Sequence, residues 1–271
     1  MPGQAGNAIL LERRPIAVQP ILGVNVAAMT MTEAIALVGR TIDARERLQI
    51  GVVNAAKLVN MTRQPALREA VLSCDVVFAD GMAVVWASRV LGRALPERIA
   101  GIDLMDAILA RGSMHGWRVY CLGAEAEVLT AALAAFATRY PGVKFVGSHH
   151  GYFTADQEEA VVTAIAASRP DVLLVGMTSP QKEQFIARWN NHLRVPVCHG
   201  VGGSFDIVGG KVRRAPLLWQ RAGLEWLYRV LQEPRRLWRR YLVTNVLFTR
   251  MVLVEATRRF THGPPKDLRR A

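Results

Sequence analysis

From about position 49 to position 200, short apolar runs rich in β-formers alternate with Ala-rich stretches of helical period. The runs Gln49–Asn54, Asp75–Ala79, Trp117–Leu122, Val143–Gly147, Asp171–Gly176 and Val195–Gly200 predict strands. Between them, Glu125–Arg139 and Ala155–Ser168 predict helices. Upstream, Thr32 is placed to cap a helix running to about Asp43, with Glu33 favoured by its N-terminal dipole. Alternation at this spacing predicts an α/β fold: a Rossmann-like, doubly wound, mostly parallel sheet with flanking helices. In such sheets ligands bind beyond the carboxyl ends of the strands, so the residues that follow each run are the ones to inspect.

The pattern changes near Lys211. The chain has 271 residues, is 51% hydrophobic and carries a net charge of +12. Residues 211–271 contain 15 Lys/Arg and 4 Asp/Glu, which leaves only +1 for the first 210. The expected division is an α/β core over 1–210 and a basic helical C-terminal appendage over 211–271. In the appendage, Trp219, Leu224, Leu227, Tyr228 and Leu231 form one apolar stripe at helical spacing. Leu237, Trp238, Tyr241 and Leu242 form a second, and Pro234 separates the two helices. Arg229, Arg235, Arg236, Arg239 and Arg240 flank the stripes. Basic amphipathic helices edged by Trp and Tyr suit docking on an anionic membrane surface; the same pattern also suits a helix pair folded onto the core. Nucleic acid is the other polyanion that such a charge could meet, but interleaved Trp and Leu fit lipid better.

No uncharged apolar run of 18 residues exists. The nearest, Leu242–Val254, is interrupted by Arg250, so no spanning helix is expected. The N-terminus has no continuous apolar core of a secretory signal. Together these predict a cytoplasmic protein, peripheral on the inner face of the plasma membrane. Cys74, Cys121 and Cys198 form no CxxC pair and read as structural thiols in a reducing compartment.

Several short constellations could carry chemistry. Asp80 follows the apolar run VVFA and precedes Gly81. A carboxylate there can act as a general base on a hydroxyl, or cap the helix starting near Met82. Arg98, in PERIAGIDL, can hold phosphate oxygens bidentately, or lie on the surface; Asp103 beside it reads as a helix cap. In GMTSPQKEQF, Ser179 and Pro180 predict a helix start with Pro at its first position, placing Gln181 at the mouth of a helix with free amides. In HGVGGSFDIVGG, Gly202 and Gly203 allow backbone to approach a ligand closely. That run does not fit GxGxxG, which weakens the alternative of a Rossmann-type oxidoreductase. There is no DxD, and His149-His150 are adjacent, so no metal site is expected; arginine and helix amides would have to neutralise a leaving diphosphate.

With Asn54, Asp80-Gly81, Arg98, SPQKEQF and GVGGSFD, the chain resembles the WecG/TagA/CpsF family of bacterial glycosyltransferases over roughly Ile21 to Tyr241. The tail RRAP…W…GLEWLYRVLQEPRRLWRRY is its most distinctive part. The resemblance implies an inverting, metal- and cofactor-independent transfer from a UDP-sugar to a polyprenyl-diphosphate-linked sugar, in capsule, exopolysaccharide or related synthesis. It implies Asp80 as the base, Arg98 at the diphosphate, and Asn54 and Gln181 against donor or acceptor sugar. The basic appendage would dock on membrane and close the site. One departure is Val52, where the family often has Thr two residues before the Asn. A valine offers no hydroxyl, which argues against the usual N-acetylmannosamine donor and admits a glucosyl one.

Overall fold

The computed structural model describes residues 16–262, without the side chains of Arg221, Arg236, Arg240 and residues 259–262. The described chain opens with an antiparallel hairpin, β1 (Val18–Ile21) and β2 (Val24–Ala27). Its two-residue turn places both Leu22 and Gly23 at positive φ, as tight hairpins require. The order then runs α1 (Met31–Asp43), β3 (Leu48–Val53), α2 (Ala55–Met61), α3 (Pro65–Leu72), β4 (Val76–Ala79), α4 (Met82–Val90) and α5 (Gly101–His115). It continues through β5 (Arg118–Gly123), α6 (Ala126–Arg139), β6 (Lys144–His149), α7 (Glu158–Ser168), β7 (Val172–Gly176), α8 (Gln181–Leu193), β8 (Val197–Gly200) and α9 (Ser204–Val208). The segment ends with α10 (Leu217–Arg221), α11 (Glu225–Gln232) and α12 (Pro234–His262).

All six runs read as strands form one parallel sheet, in the order β4-β3-β8-β7-β5-β6. Alternate residues feed different cores. Ile50, Val52, Phe78, Val119, Cys121 and Leu174 join α1, α5 and α6 on one face. On the other, Val53, Val77 and Ala79 meet α2, α3 and α4, while Tyr120, Leu122, Leu173 and Val175 meet α7 and α8. Burial on both faces is why these strands are apolar almost throughout. The three cysteines are free thiols.

Two helix starts differ from expectation. Thr30, not Thr32, caps α1: its hydroxyl accepts the Glu33 N–H at 3.3 Å, and the Glu33 carboxylate accepts the Thr30 N–H at 2.7 Å. This reciprocal box fixes Glu33 as the third helical residue, so the cap must lie three positions before it. Pro180 stands at the N-cap of α8 rather than at its first helical position, and neither Ser179 nor Pro180 caps it through a side chain.

Pro234 does separate two helices, standing first in α12, where its missing N–H costs no hydrogen bond. The second expected stripe divides between two faces. Leu237 is buried, whereas Trp238 and Leu242 point outward. With Leu237, Thr244, Phe248, Val252 and Ala256 make the buried face of α12, and the last three join the core beside α2 and α4. An ion pair from Arg93 to Glu255 at 2.6 Å fastens the same helix. Among the described residues, no helix is long and apolar enough to cross a membrane.

Candidate active site

The carboxyl ends of β4, β3, β8 and β7 lie side by side, and most of the residues singled out in the sequence gather there. Asp80 continues β4 by one residue, its N–H bonded to the Val53 carbonyl at 2.8 Å. Its carboxylate does not cap α4, whose N-cap is Gly81 without a side-chain bond. Instead Oδ1 accepts the Gly101 N–H at 2.9 Å, at the first residue of α5. Burial is the largest influence on this carboxyl and lifts it above its ordinary value; the Gly101 amide, Lys57 and Arg98 pull it down, and Glu225 pushes it up. A carboxylate made more basic by desolvation is a better proton acceptor. His199, fully buried, bonds through Nε2 to the Gly101 carbonyl at 2.9 Å. The same residue thus links the candidate base to a buried imidazole.

Asn54 caps α2, its Oδ1 accepting the Lys57 N–H at 3.0 Å. A Cβ built on Gly81 would lie 3.6 Å from the Asn54 Cβ, so Asn54, Asp80 and Gly81 share one corner of the cleft. Val52 is buried under Gly101 and His199 rather than facing open cleft.

Beneath this corner lies a charged group that motif reading missed. Lys57 Nζ donates to the Val52 carbonyl at 2.7 Å and to Glu183 Oε1 at 2.8 Å. Lys182 Nζ pairs with the same Glu183 oxygen at 2.8 Å. All three side chains are at most 9% exposed. Burial opposes ionisation of Glu183, but the two ammonium groups win and hold it down at about 2. Burial, then repulsion from Lys57, lowers Lys182. Two cations on one carboxylate leave a surplus positive charge, which Asp80 partly balances. The available signal was two lysines and a glutamate next to the singled-out Asn54 and Gln181; nothing in helical period marks them as buried.

Gln181 itself is exposed and accepts a hydrogen bond from the Thr178 hydroxyl at 3.0 Å. Its neighbour Lys182 turns inward, against the glycines after β8. A Cβ on Gly200 would come within 3.1 Å of the Lys182 stem, and one on Gly202 within 4.0 Å of its Nζ. Gly202 sits at φ +55°, a conformation that disfavours side chains. Gly203 follows it as the N-cap of α9.

Arg98 is no surface arginine: its side chain is 15% exposed, paired with Asp103 at 3.0 Å and with Glu225 at 3.1 Å. Asp103 lies in the first turn of α5, but the N-cap there is Ala100, so the expected cap reading gives way to an ion pair. Glu225 brings α11 to the edge of the site. Gly223, at φ +70°, makes that approach possible, since a Cβ on it would fall 2.7 Å from the Trp86 ring. Arg229, Arg235 and Arg239 are exposed, while the side chains of Arg236 and Arg240 lie outside the described residues. Among the described residues, no three His, Cys, Asp or Glu side chains are grouped as metal ligands would be.

The chain matches the WecG/TagA/CpsF glycosyl transferase family over residues 19–262, from β1 to the end of α12. It belongs to that family, and is a glycosyltransferase of cell-surface polysaccharide synthesis, acting between a sugar donor and an acceptor.

Proposed function

We propose that this enzyme transfers a hexosyl group, with inversion, from a UDP-sugar to a polyprenyl-diphosphate-linked saccharide at an anionic membrane surface. Asp80 takes the proton of the acceptor hydroxyl. The acceptor oxygen attacks the anomeric carbon from the face opposite the leaving group. The bond from that carbon to the diphosphate oxygen breaks, and UDP departs with the electron pair, neutralised by Arg98 and backbone amides. Asn54, Gly81, Gln181, Gly202 and Gly203 would line the sugar and phosphate subsites. The step uses no metal or cofactor. Residues 211–271 would serve as the docking appendage, with the outward faces of α11 and α12 on the lipid.

The observation that supports this reading best is the fixed Asp80 carboxylate, 2.9 Å from the Gly101 amide and within the electrostatic reach of Arg98. A base and a diphosphate-binding cation at the mouth of one parallel sheet are what a single displacement needs. The deciding experiment is a donor screen with radiolabelled UDP-sugars and membrane extract as acceptor. Label transferred to lipid from one donor supports the reading; no transfer from any UDP-sugar sinks it.

A further inference from the structure

Arg98 is one corner of a closed ring of four charged side chains. Arg98 Nη2 meets Asp103 Oδ2 at 3.0 Å, and Asp103 Oδ1 meets Arg214 Nη2 at 2.5 Å. Arg214 Nε faces Glu225 Oε1 at 3.8 Å, and Glu225 Oε2 meets Arg98 Nη1 at 3.1 Å. The two arginine side chains are 15% and 21% exposed. Each therefore needs an anionic partner to stay in so little water. The ring is within electrostatic range of the candidate base, since both Arg98 and Glu225 act on the Asp80 carboxyl.

The two acids are held differently. Asp103 gives one oxygen to each arginine from the first turn of α5, where the helix dipole favours a negative charge. Glu225 is the first residue of α11, a helix with no buried residue. Its bond to Arg98 is sound, but its approach to Arg214 is too long for a hydrogen bond, and Arg214 Nε is buried without a hydrogen-bond partner. One side of the ring thus offers a donor whose bond is not made.

We propose that Arg214 is a second arginine of the donor's diphosphate site, and that Glu225 competes with the diphosphate for the Arg98 and Arg214 guanidinium faces. This rests on the reading of Arg98 as a diphosphate ligand. A diphosphate presents more oxygens and more charge than one carboxylate, and can satisfy the forks of both guanidinium groups, including Arg214 Nε. Asp103 stays in place and keeps the two arginines apart. The step is an exchange of anions: Glu225 leaves as the diphosphate arrives, so the arginines are never buried unpaired. Because Glu225 belongs to α11, donor affinity includes the cost of displacing that helix's contact with the site.

The test is calorimetric titration of the full-length protein with UDP and, separately, with inorganic pyrophosphate, which lacks the nucleoside. Glu225→Gln keeps the shape of the side chain and removes its charge; it should tighten both ligands severalfold. Arg214→Ala should weaken both by about tenfold or more, as loss of charge-assisted hydrogen bonds does. If Arg214→Ala does not fold, Arg214→Lys serves, since a point charge cannot replace the planar fork and should also weaken binding. A ring that only staples α11 to α5 predicts no gain from Glu225→Gln. Unchanged or weaker binding by Glu225→Gln, or unchanged binding by the Arg214 variant, overturns the inference. Arg98→Ala separates the two levels. If it loses affinity while the other variants are silent, only this inference fails. If it too is silent, the diphosphate reading of Arg98 falls with it.

Discussion

The Asp80 carboxylate is bound through one oxygen to the Gly101 amide at 2.9 Å, and among the described residues its other oxygen has no hydrogen-bond partner. The amide is the first of α5, so it points along the axis and cannot be used inside the helix. One oxygen is thereby oriented, and the other is left for the substrate proton that the proposed mechanism assigns to it. Asp80→Asn should retain this hydrogen bond and the fold while losing the base. The expected result is a fall in turnover of roughly 10²–10⁴ with UDP affinity preserved. Near-normal turnover by the folded variant would remove Asp80 from the mechanism.

Lys57 gives a second prediction. Its ammonium lowers the Asp80 carboxyl against the upward push of burial. A base works only when ionised, so activity should fall on the acid side as Asp80 takes up its proton. Lys57→Met should move that acid limb to higher pH, because one opposing charge is gone. Glu183 keeps Lys182 as its partner, so the buried carboxylate is not left alone. An acid limb that stays where the parent's lies would show that Lys57 does not act on the base.

His199 should govern stability in mild acid. Burial holds the imidazole down at about 4, against 6.5 for an ordinary histidine. The unfolded chain therefore binds this proton first. The stabilisation is complete above about 6.5 and is lost as pH falls towards 4, amounting to on the order of 3 kcal/mol. Urea unfolding midpoints measured across that window should fall steeply for the parent and less for His199→Gln, which cannot titrate. Parallel curves for the two proteins would refute the assignment.

The sheet was legible because most of its strands are buried on both faces and so are largely apolar, as VVFA before Asp80 illustrates; the edge strand β6, by contrast, is partly exposed. The β1–β2 hairpin was not, since its turn is Leu22-Gly23 rather than an Asn-Gly or Asp-Gly pair, and each strand is only four residues long. Asp80 could be singled out as a residue at a strand tip, but its partner, Gly101, lies 21 positions later in a helix that no cap residue announces. Lys182 and Glu183 look like the polar start of a surface helix. They are buried because α8 lies across the sheet at the level of Gly200, where no side chain stands in their way. The ring joining Arg98 to Glu225 spans 127 positions, a distance over which charge pattern carries no pairing information.

Metal dependence is open to a simple measurement. The chain has no DxD with which nucleotide-sugar enzymes commonly hold Mg²⁺ or Mn²⁺, and Arg98 and Arg214, the two arginines proposed to meet the diphosphate, both contact Glu225. EDTA should leave transfer largely intact. Loss of activity in EDTA, recovered with Mg²⁺ or Mn²⁺, would show that a cation does the neutralising instead.

The outward face of α12 should bind anionic membrane. Its inward face is committed to the core through Phe248, Val252 and Ala256, yet Trp238, Leu242, Val246 and Leu253 are each more than half exposed at helical spacing. Arg235 and Arg239 are exposed near the start of this stripe, and Arg229 on α11. Each basic residue near an anionic surface contributes about 1 kcal/mol, and inserted Trp and Leu add an apolar part that salt does not screen. The electrostatic part should weaken as the Debye length shrinks from about 10 Å at 0.1 M to about 3 Å at 1 M. Removing the whole appendage would uncover core residues, so point variants of the full chain are the sharper probe. Arg235→Glu with Arg239→Glu should abolish most co-sedimentation with phosphatidylserine-containing vesicles at low salt. Trp238→Ala with Leu242→Ala should remove the fraction that survives high salt. If both double variants sediment as the parent does, the exposed stripe is not the membrane contact. If the parent ignores the vesicles but binds duplex DNA tightly, the charge of this segment serves a nucleic acid instead.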